Sequence, residues 1–283
     1  MTKIALVTDS TSYIPADLVQ RYHITVTPQV LIWGPETFQD GVDIQPDEFY
    51  TRLKTATIMP STSQATVATF VKIFQGLLDE GYQILAMLVS ERLSGTINSA
   101  SQARLALPAG APIEIVDSQS TAMALGFQVL SVARALEQGA DLTDAVALAH
   151  KATAHTGVVL TVDTLEFLHR GGRIGGGSRF LGTLLNFKPI LELRDGRIEA
   201  VERVRTRGKS LSRLVDLVEA QIGGRTPVRL AALHANAEAD ARGVLEEACS
   251  RLKVEESLLS IVSPVVGTHA GPGTVGLAYM AGM

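Results

Sequence analysis

Three times in its first 137 residues the chain repeats one pattern: a short unbroken apolar run, a loop of Asp, Ser and Thr, then a helical periodicity. KIALVT (residues 3–8) leads into DSTS and then IPADLVQRY, where Pro15 suits a first helical turn. QILAMLV (83–89) leads into SERLSGT and INSASQARLAL; IEIV (113–116) leads into DSQST and a helix reaching about Glu137. Apolar runs without alternation belong to strands covered on both faces, and strands alternating with helices predict a parallel sheet with crossover helices. Such sheets take ligands beyond the carboxyl ends of their strands. In this chain those ends are where Asp9, Asp117 and most of the clustered hydroxyls fall.

The segment STAMALGFQVLSVARALE (120–137) is apolar almost all round, which predicts a buried helix, either as plain core or as the wall of an apolar site. A further helix is expected over LTDAVALAHKATAH, and a new pattern starts at TGVVLTVD (156–163). KPILEL and RIEAVERV flank Asp195-Gly196, a strong hairpin signal that implies antiparallel pairing. Two helices, SLSRLVDLVEAQI and AEADARGVLEEACSRL, surround the strand VRLAALH. The expected fold is therefore α/β: a three-layer α/β/α domain with a parallel sheet over residues 1–156, and a two-layer α/β domain with a mixed sheet over 157–283.

Composition excludes several classes. Every apolar run is broken by charge well short of the ~20 residues a membrane span needs, despite a mean hydropathy of +0.21. No leader is expected, since MTKIALVTDS goes straight into a strand-like run, and the expected location is cytoplasmic. Cys249 is the only cysteine, so neither a disulfide nor a cysteine-based metal site is available. The six histidines show no zinc spacing. A net charge of −4 argues against nucleic acid, which needs a strong basic face.

The candidate sites are loops. In PSTSQ (60–64), Ser61-x-x-Gln64 reads as a capping box for a helix starting near Gln64, worth about 1 kcal/mol as a cap. One cap needs one hydroxyl, and Ser61, Thr62 and Ser63 offer three, so an anion site is the other reading. LSGT (93–96) has the same form: Ser94 caps, or Ser94, Gly95 and Thr96 meet an anion at a helix start. LHRGGRIGGG (168–177), with Arg179 beyond it, is either a surface loop or an anion wrap using Arg173. In VVGTHAGPG (265–273) a strand is expected to end at Gly267-Thr268-His269, aiming His269 at a ligand. GPGTVG (271–276) matches a dinucleotide fingerprint but lies too near the C-terminus for a further strand or a ribose-binding acid to follow. Arg203, Arg205, Arg207 and Lys209 form either a solvated strand-to-helix corner or a phosphate or partner contact.

Taken together, TDSTS (8–12), PSTSQ, LSGT, DS (117–118), GGRI (171–174), LLNFKPIL (184–191), VRTR (204–207) and GTHAGPG (267–273) resemble the DegV family. These fatty-acid-binding proteins present acyl chains to bacterial fatty acid kinase. The resemblance implies two α/β domains around an acyl tunnel and no cofactor, with a long-chain acid such as palmitate, stearate or oleate as ligand. It implies that Ser61, Thr62 and Ser94 contact the carboxylate, with Arg173 and His269 completing the network and Ser63, Gly95, Thr96 and Thr268 supporting it. A partner kinase would form the acyl phosphate with ATP, so the chain itself is expected not to be an enzyme, and Arg203, Arg205, Arg207 and Lys209 become docking candidates. Two departures stand out: Ser61 and Ala65, where the family commonly has Thr and Pro. The rival expectation is a phosphotransferase or hydrolase working on phosphate with Asp9, Asp117 and His269. A third is a regulator whose bound lipid is only structural.

Overall fold

The computed structural model describes residues 3–174 and 187–283. The chain opens with β1 (Ile4–Asp9), a 3-10 turn (Ser10–Ser12), α1 (Ala16–Arg21), β2 (Thr25–Thr27), β3 (Val30–Trp33), β4 (Glu36–Gln39) and α2 (Pro46–Leu53). β5 (Ser61–Ser63), α3 (Val67–Asp79), β6 (Gln83–Leu88), α4 (Thr96–Ala106), β7 (Ile113–Asp117), α5 (Ala122–Glu137) and α6 (Leu142–Thr153) follow. β2, β1, β6 and β7 form the expected parallel sheet in that order. Side chains of successive strand residues point to opposite faces, and both faces are buried. Val7, Ile84, Ala86 and Leu88 pack with Phe70, Phe74, Ala100 and Ala103 of α3 and α4. Leu6, Leu85, Met87 and Val116 face the other way, into the core built on α5 and α6.

β3 pairs antiparallel with β4 on one side and β5 on the other, a three-stranded sheet that the sequence did not announce. It changes the reading of residues 60–66. Ser61, Thr62 and Ser63 are strand residues, opposite Ile32, Leu31 and Val30. The helix begins at Val67, and its cap is Thr66, whose hydroxyl accepts from Thr69 N at 3.1 Å. The capping box at Ser61 and Gln64 is therefore absent, because strand pairing holds its first residue five positions short of the helix N-cap.

The second sheet begins with β8 (Thr156–Thr161). After it come α7 (Glu166–Arg170), β9 (Lys188–Arg194), β10 (Arg197–Val204), α8 (Arg207–Ile222), β11 (Val228–His234), α9 (Glu238–Arg251), β12 (Val254–Ile261), α10 (Pro264–Ala270) and β13 (Val275–Ala281). The order is β10-β9-β8-β13-β11-β12, parallel only between β11 and β12. Asp195 and Gly196 make the expected two-residue hairpin, both at positive φ (48° and 75°) as such a turn requires. One face of this sheet packs Val159, Leu230, Ala232 and Leu277 on α8 and α9. The other face, through Val158, Ala231, Leu233, Ala278 and Met280, joins the core of α5.

α5 is thus covered by both sheets over residues 122–130, which is why that part carries no polar stripe. Its one buried polar side chain, Gln128, donates to Ser118 O at 3.2 Å and Thr156 Oγ1 at 2.8 Å, tying one sheet to the other. Contact is closest at Gly126, where a Cβ would lie 2.6 Å from Ser12 O and 2.8 Å from Met123 Sδ. A glycine-to-alanine change in a free helix gains about 1 kcal/mol. Here the sign should reverse: Gly126→Ala should lower the urea midpoint, by about 1–3 kcal/mol in stability, with an unchanged slope. A stabilised variant would show that the helix is not seated on the 3-10 turn.

Candidate ligand site

Between α5, the inner face of the mixed sheet and α10 lies a cavity with apolar walls and one polar end. Val158, Leu160, Leu193, Ile198 and Leu233 line it from the sheet, and Val265, Val266 and Ala270 from α10. At the polar end are Thr62, Ser63, Gln64, Ser94, Arg173, His269 and Gln29. Strand alternation supplies the apolar wall, and loops from both halves of the chain supply the polar cluster.

His269 is carried by a helix rather than a strand end. Pro264 occupies the first turn of α10 and Ser263 caps it, the Ser263 hydroxyl accepting from Val266 N at 3.5 Å. The segment reads as a strand in sequence because Val265, Val266 and Thr268 are β-branched and the helix has only seven residues. His269 Nε2 lies 2.7 Å from Thr62 Oγ1, while Nδ1 is buried without a hydrogen-bond partner. The ring rests directly on Gly171, where any Cβ would fall on Nδ1. Burial, and secondly the charge of Arg173, pull the imidazole pKa down to about 4. At neutral pH it is uncharged.

Arg173 is half-buried and, among the described residues, is held by carbonyls: Nε donates to Leu93 O at 3.0 Å and Nη1 to Gly171 O at 2.6 Å. Burial lowers its pKa, yet a guanidinium stays charged at any physiological pH. No carboxylate pairs with it among the described residues. Ser94 is not the side-chain cap expected. Gly95 is the N-cap of α4, and Ser94 Oγ lies 2.8 Å from Thr96 Oγ1 and accepts from Thr96 N at 3.3 Å. Thr96 in turn accepts from Gln29 Nε2 at 2.9 Å, and Gln29 Oε1 accepts from Ala65 N at 3.1 Å. Gln29 went unnoticed in sequence, since a lone Gln between short strands carries no pattern; it fastens the end of β5 to the start of α4. Gly95 packs against the Gln64 amide.

The remaining candidates separate. Ser61 is exposed and lines a neighbouring outer cavity with Met59, Pro60, Phe167, Arg170 and Thr268, which touches Thr62, Arg173 and His269 from outside. Thr268 donates its hydroxyl to Pro264 O at 2.9 Å within its own helix. Asp9 is fully buried, accepting from Val89 N at 2.7 Å and Thr11 N at 3.0 Å, and burial raises its pKa. Asp117 accepts from Gln119 N at 2.8 Å and lines a different cavity, with His150 and Asp195. Asp9, Asp117 and His269 are therefore not one cluster.

Arg203, Arg205, Arg207 and Lys209 lie at the corner between β10 and α8, away from the cavity lining. Arg207 is tied to Asp240 at 2.8 Å and Asp163 at 3.7 Å. Thr206 caps α8 by accepting from Lys209 N at 3.4 Å. The GPGTVG segment runs into β13, so a strand does follow it; what it lacks is the helix a dinucleotide loop opens. Gly175, Gly176, Gly177 and Arg179 lie outside the described residues. Among the described residues no helix is long and apolar enough to cross a membrane.

A largely apolar cavity closed at one end by hydroxyls, a neutral imidazole and a cation with no carboxylate partner among the described residues has the chemistry to hold an amphipathic anion. Comparison with known proteins leads to the same group. A family model described as "Uncharacterised protein, DegV family" matches residues 3–282, and the chain belongs to that family. A DegV domain-containing protein of Halalkalibacterium halodurans is 32% identical, with 99% of each chain covered. A solved DegV family protein from Thermus thermophilus, described for its fatty acid binding, is 35% identical with a TM-score of 0.93 over 99% of each chain. DegV of Bacillus subtilis, solved as a fatty acid binding protein, is 30% identical with a TM-score of 0.89, covering 99% of this chain and 100% of that one.

The neutral His269 makes stability depend on pH. Its folded pKa of about 4 lies below the ~6.5 of an unfolded histidine, so its contribution is complete above pH 6.5 and is lost as pH falls towards 4. Asp40, whose carboxyl burial pushes up to about 6, acts in the opposite sense but is common to both proteins in a comparison with His269→Gln. Between pH 7 and 4.5 the parent should lose about 2 kcal/mol relative to the variant. Parallel stability profiles would mean that the ring is solvated.

Proposed function

We propose that the protein binds a long-chain fatty acid, tail in the apolar cavity and carboxylate at Thr62, Ser94, Arg173 and His269. The observation that carries this is Arg173, a half-buried cation with no carboxylate partner among the described residues, beside an uncharged histidine at the polar end of an otherwise apolar cavity. The relatives solved as fatty acid binding proteins support the same choice. Energetics divide the work. A buried tail contributes roughly 0.8 kcal/mol per CH2, about 10 kcal/mol gross for a C16 chain before the costs of association. Each hydrogen bond to the charged head contributes about 1.5–3 kcal/mol, which offsets its removal from water. Ser61, on the outer cavity, is left out of the direct contacts.

The second part of the reading is presentation to a partner kinase. The outer cavity reaches Thr62, Arg173 and His269 from the solvent side, so a carboxylate held there has one face open to a phosphoryl donor. The acyl phosphate would then form on this protein but by the partner's catalysis. Arg205 and Lys209 are retained as docking candidates; Arg203 and Arg207 have interactions of their own.

Mass spectrometry of an organic extract of the denatured protein should find about one C14–C20 acid per chain. A clean extract, before and after incubation with palmitate and oleate, would overturn the binding reading. Ser94→Ala and Thr62→Val should each weaken acid binding about tenfold or more; Ser94→Ala should leave the melting temperature nearly unchanged, whereas Thr62→Val, which takes the partner from His269 Nε2, should also lower it by a few degrees. Leu160→Phe, which fills the cavity wall, should shift the extracted acids to shorter chains. Adding a fatty acid kinase and ATP tests presentation separately, by whether acyl phosphate forms.

A further inference from the structure

Three hydroxyls on the cavity wall are buried with no hydrogen-bond partner among the described residues, Thr11 Oγ1, Tyr13 OH and Thr121 Oγ1, and the last two carry the argument. A buried hydroxyl left unpaired costs about 1–3 kcal/mol, so a pair of them lining one apolar cavity calls for a ligand atom. The backbone there is unusual as well. Tyr13 (φ 55°) and Ala122 (φ 55°) are both non-glycine residues in the left-handed region, and both line the cavity. Such strain persists where surrounding structure enforces it, and it gathers at ligand clamps. The two segments are neighbours, since α5 is seated on the turn that precedes Tyr13, as the close approach of Gly126 to Ser12 O shows.

Local roles do not account for these groups. Thr121 occupies the N-cap position of α5 yet makes no side-chain capping bond, whereas Thr66, Thr206 and Ser263 at the same position all cap their helices. Tyr13 is 9% exposed and lies beside Tyr50 and Ser263, but the Tyr50 hydroxyl donates to Val262 O and the Ser263 oxygen accepts from Val266 N, and Tyr13 OH makes no hydrogen bond among the described residues. Thr11, on the same wall, sits against Asp9 and is set aside.

The place of Tyr13 along the cavity matters. Ser263 stands at the N-terminal end of α10 and His269 near its C-terminal end. At 1.5 Å per residue those levels are about 9 Å apart, several methylenes along a bound chain. We propose that Tyr13 and Thr121 form a second polar station, recognising an oxygen substituent part-way along the acyl chain. The ligand class is then a hydroxy or oxo fatty acid. This rests on the fatty-acid reading of the cavity and adds a specificity to it. An oxygen placed opposite the two hydroxyls exchanges hydrogen bonds with them; one placed elsewhere on the apolar wall is buried without a partner.

The test compares stearate with hydroxystearates substituted at carbons 7, 10 and 12, measured by displacement of a fluorescent fatty acid from the full-length protein. One isomer should bind at least as tightly as stearate and about tenfold tighter than the worst isomer. In Tyr13→Phe/Thr121→Val that positional preference should fall about tenfold, with stearate affinity unchanged or improved. The wild-type series needs no variant: if all three isomers bind tenfold or more weaker than stearate, the station does not exist. Equal losses for stearate and hydroxystearate in the variant would also overturn it. Failure of stearate itself to bind the wild type would instead overturn the fatty-acid reading on which the station rests.

Discussion

The burial of α5 between two sheets is the constraint on which the remaining structure depends. Eleven of its sixteen residues are buried, and only its C-terminal end, at Ser131 and residues 134–137, reaches towards water. A helix of this kind cannot be completed by either sheet alone, because each covers one side. The cores on Leu85 and Met87 and on Ala231 and Ala278 consequently belong to one cluster. Gln128 is tolerated in that cluster because its amide donates to Ser118 O and Thr156 Oγ1, one from each half of the chain. The cavity lies beside this core: Val158 and Leu233, which belong to the core of α5, line it together with Leu160, Leu193 and Ile198 of the mixed sheet and Val265, Val266 and Ala270 of α10.

Much of this was legible in residues. Continuous apolar runs at β1, β6 and β7, the all-round apolar helix, and Asp195-Gly196 each have a single economical structural meaning. The features that escaped are those whose meaning is set by distant partners. β3 and β4 have four residues each and β5 only three, with Thr37, Ser61 and Ser63 diluting any alternation. Their pairing is a tertiary fact, and it overrode the capping pattern at Ser61 and Gln64 in favour of Thr66. α10 was read as a strand because propensity favours strand for Val265, Val266 and Thr268, while Pro264 and the Ser263 cap decide for helix. The wall reading of α5 survives only at its first turn: Ala122 lines the cavity, and residues 123–130 are core.

Of the candidate site, the residue types were readable and their grouping was only partly so. Thr62, Ser94, Arg173 and His269 meet at one cavity end although they are separated by up to 207 positions. Ser61 and Thr62 were indistinguishable in sequence, yet only Thr62 lies on both cavities. Asp9 and Asp117 looked equivalent at their strand ends. One proves to be a fully buried joint that accepts backbone N–H groups from Val89 and Thr11, which is what holds the ends of β1 and β6 in step. The other, at the end of β7, lines another cavity.

The electrostatics of the polar end follow from how Arg173 is anchored. A guanidinium satisfied by carbonyl oxygens keeps its full charge, whereas one paired with Asp or Glu would present almost none. That unspent charge also helps hold His269 neutral, since a second cation beside it in a buried site is disfavoured. An imidazolium there would bring a second charge to desolvate, and on folding it would cost stability below pH 6.5. A neutral ring leaves Arg173 as the one positive charge at the cavity end among the described residues. That matches one carboxylate, and it is fewer charges than a phosphate dianion needs for neutralisation. Charge count therefore separates the carboxylate from the phosphate more sharply than the hydroxyls do, because Ser and Thr serve either ligand equally well.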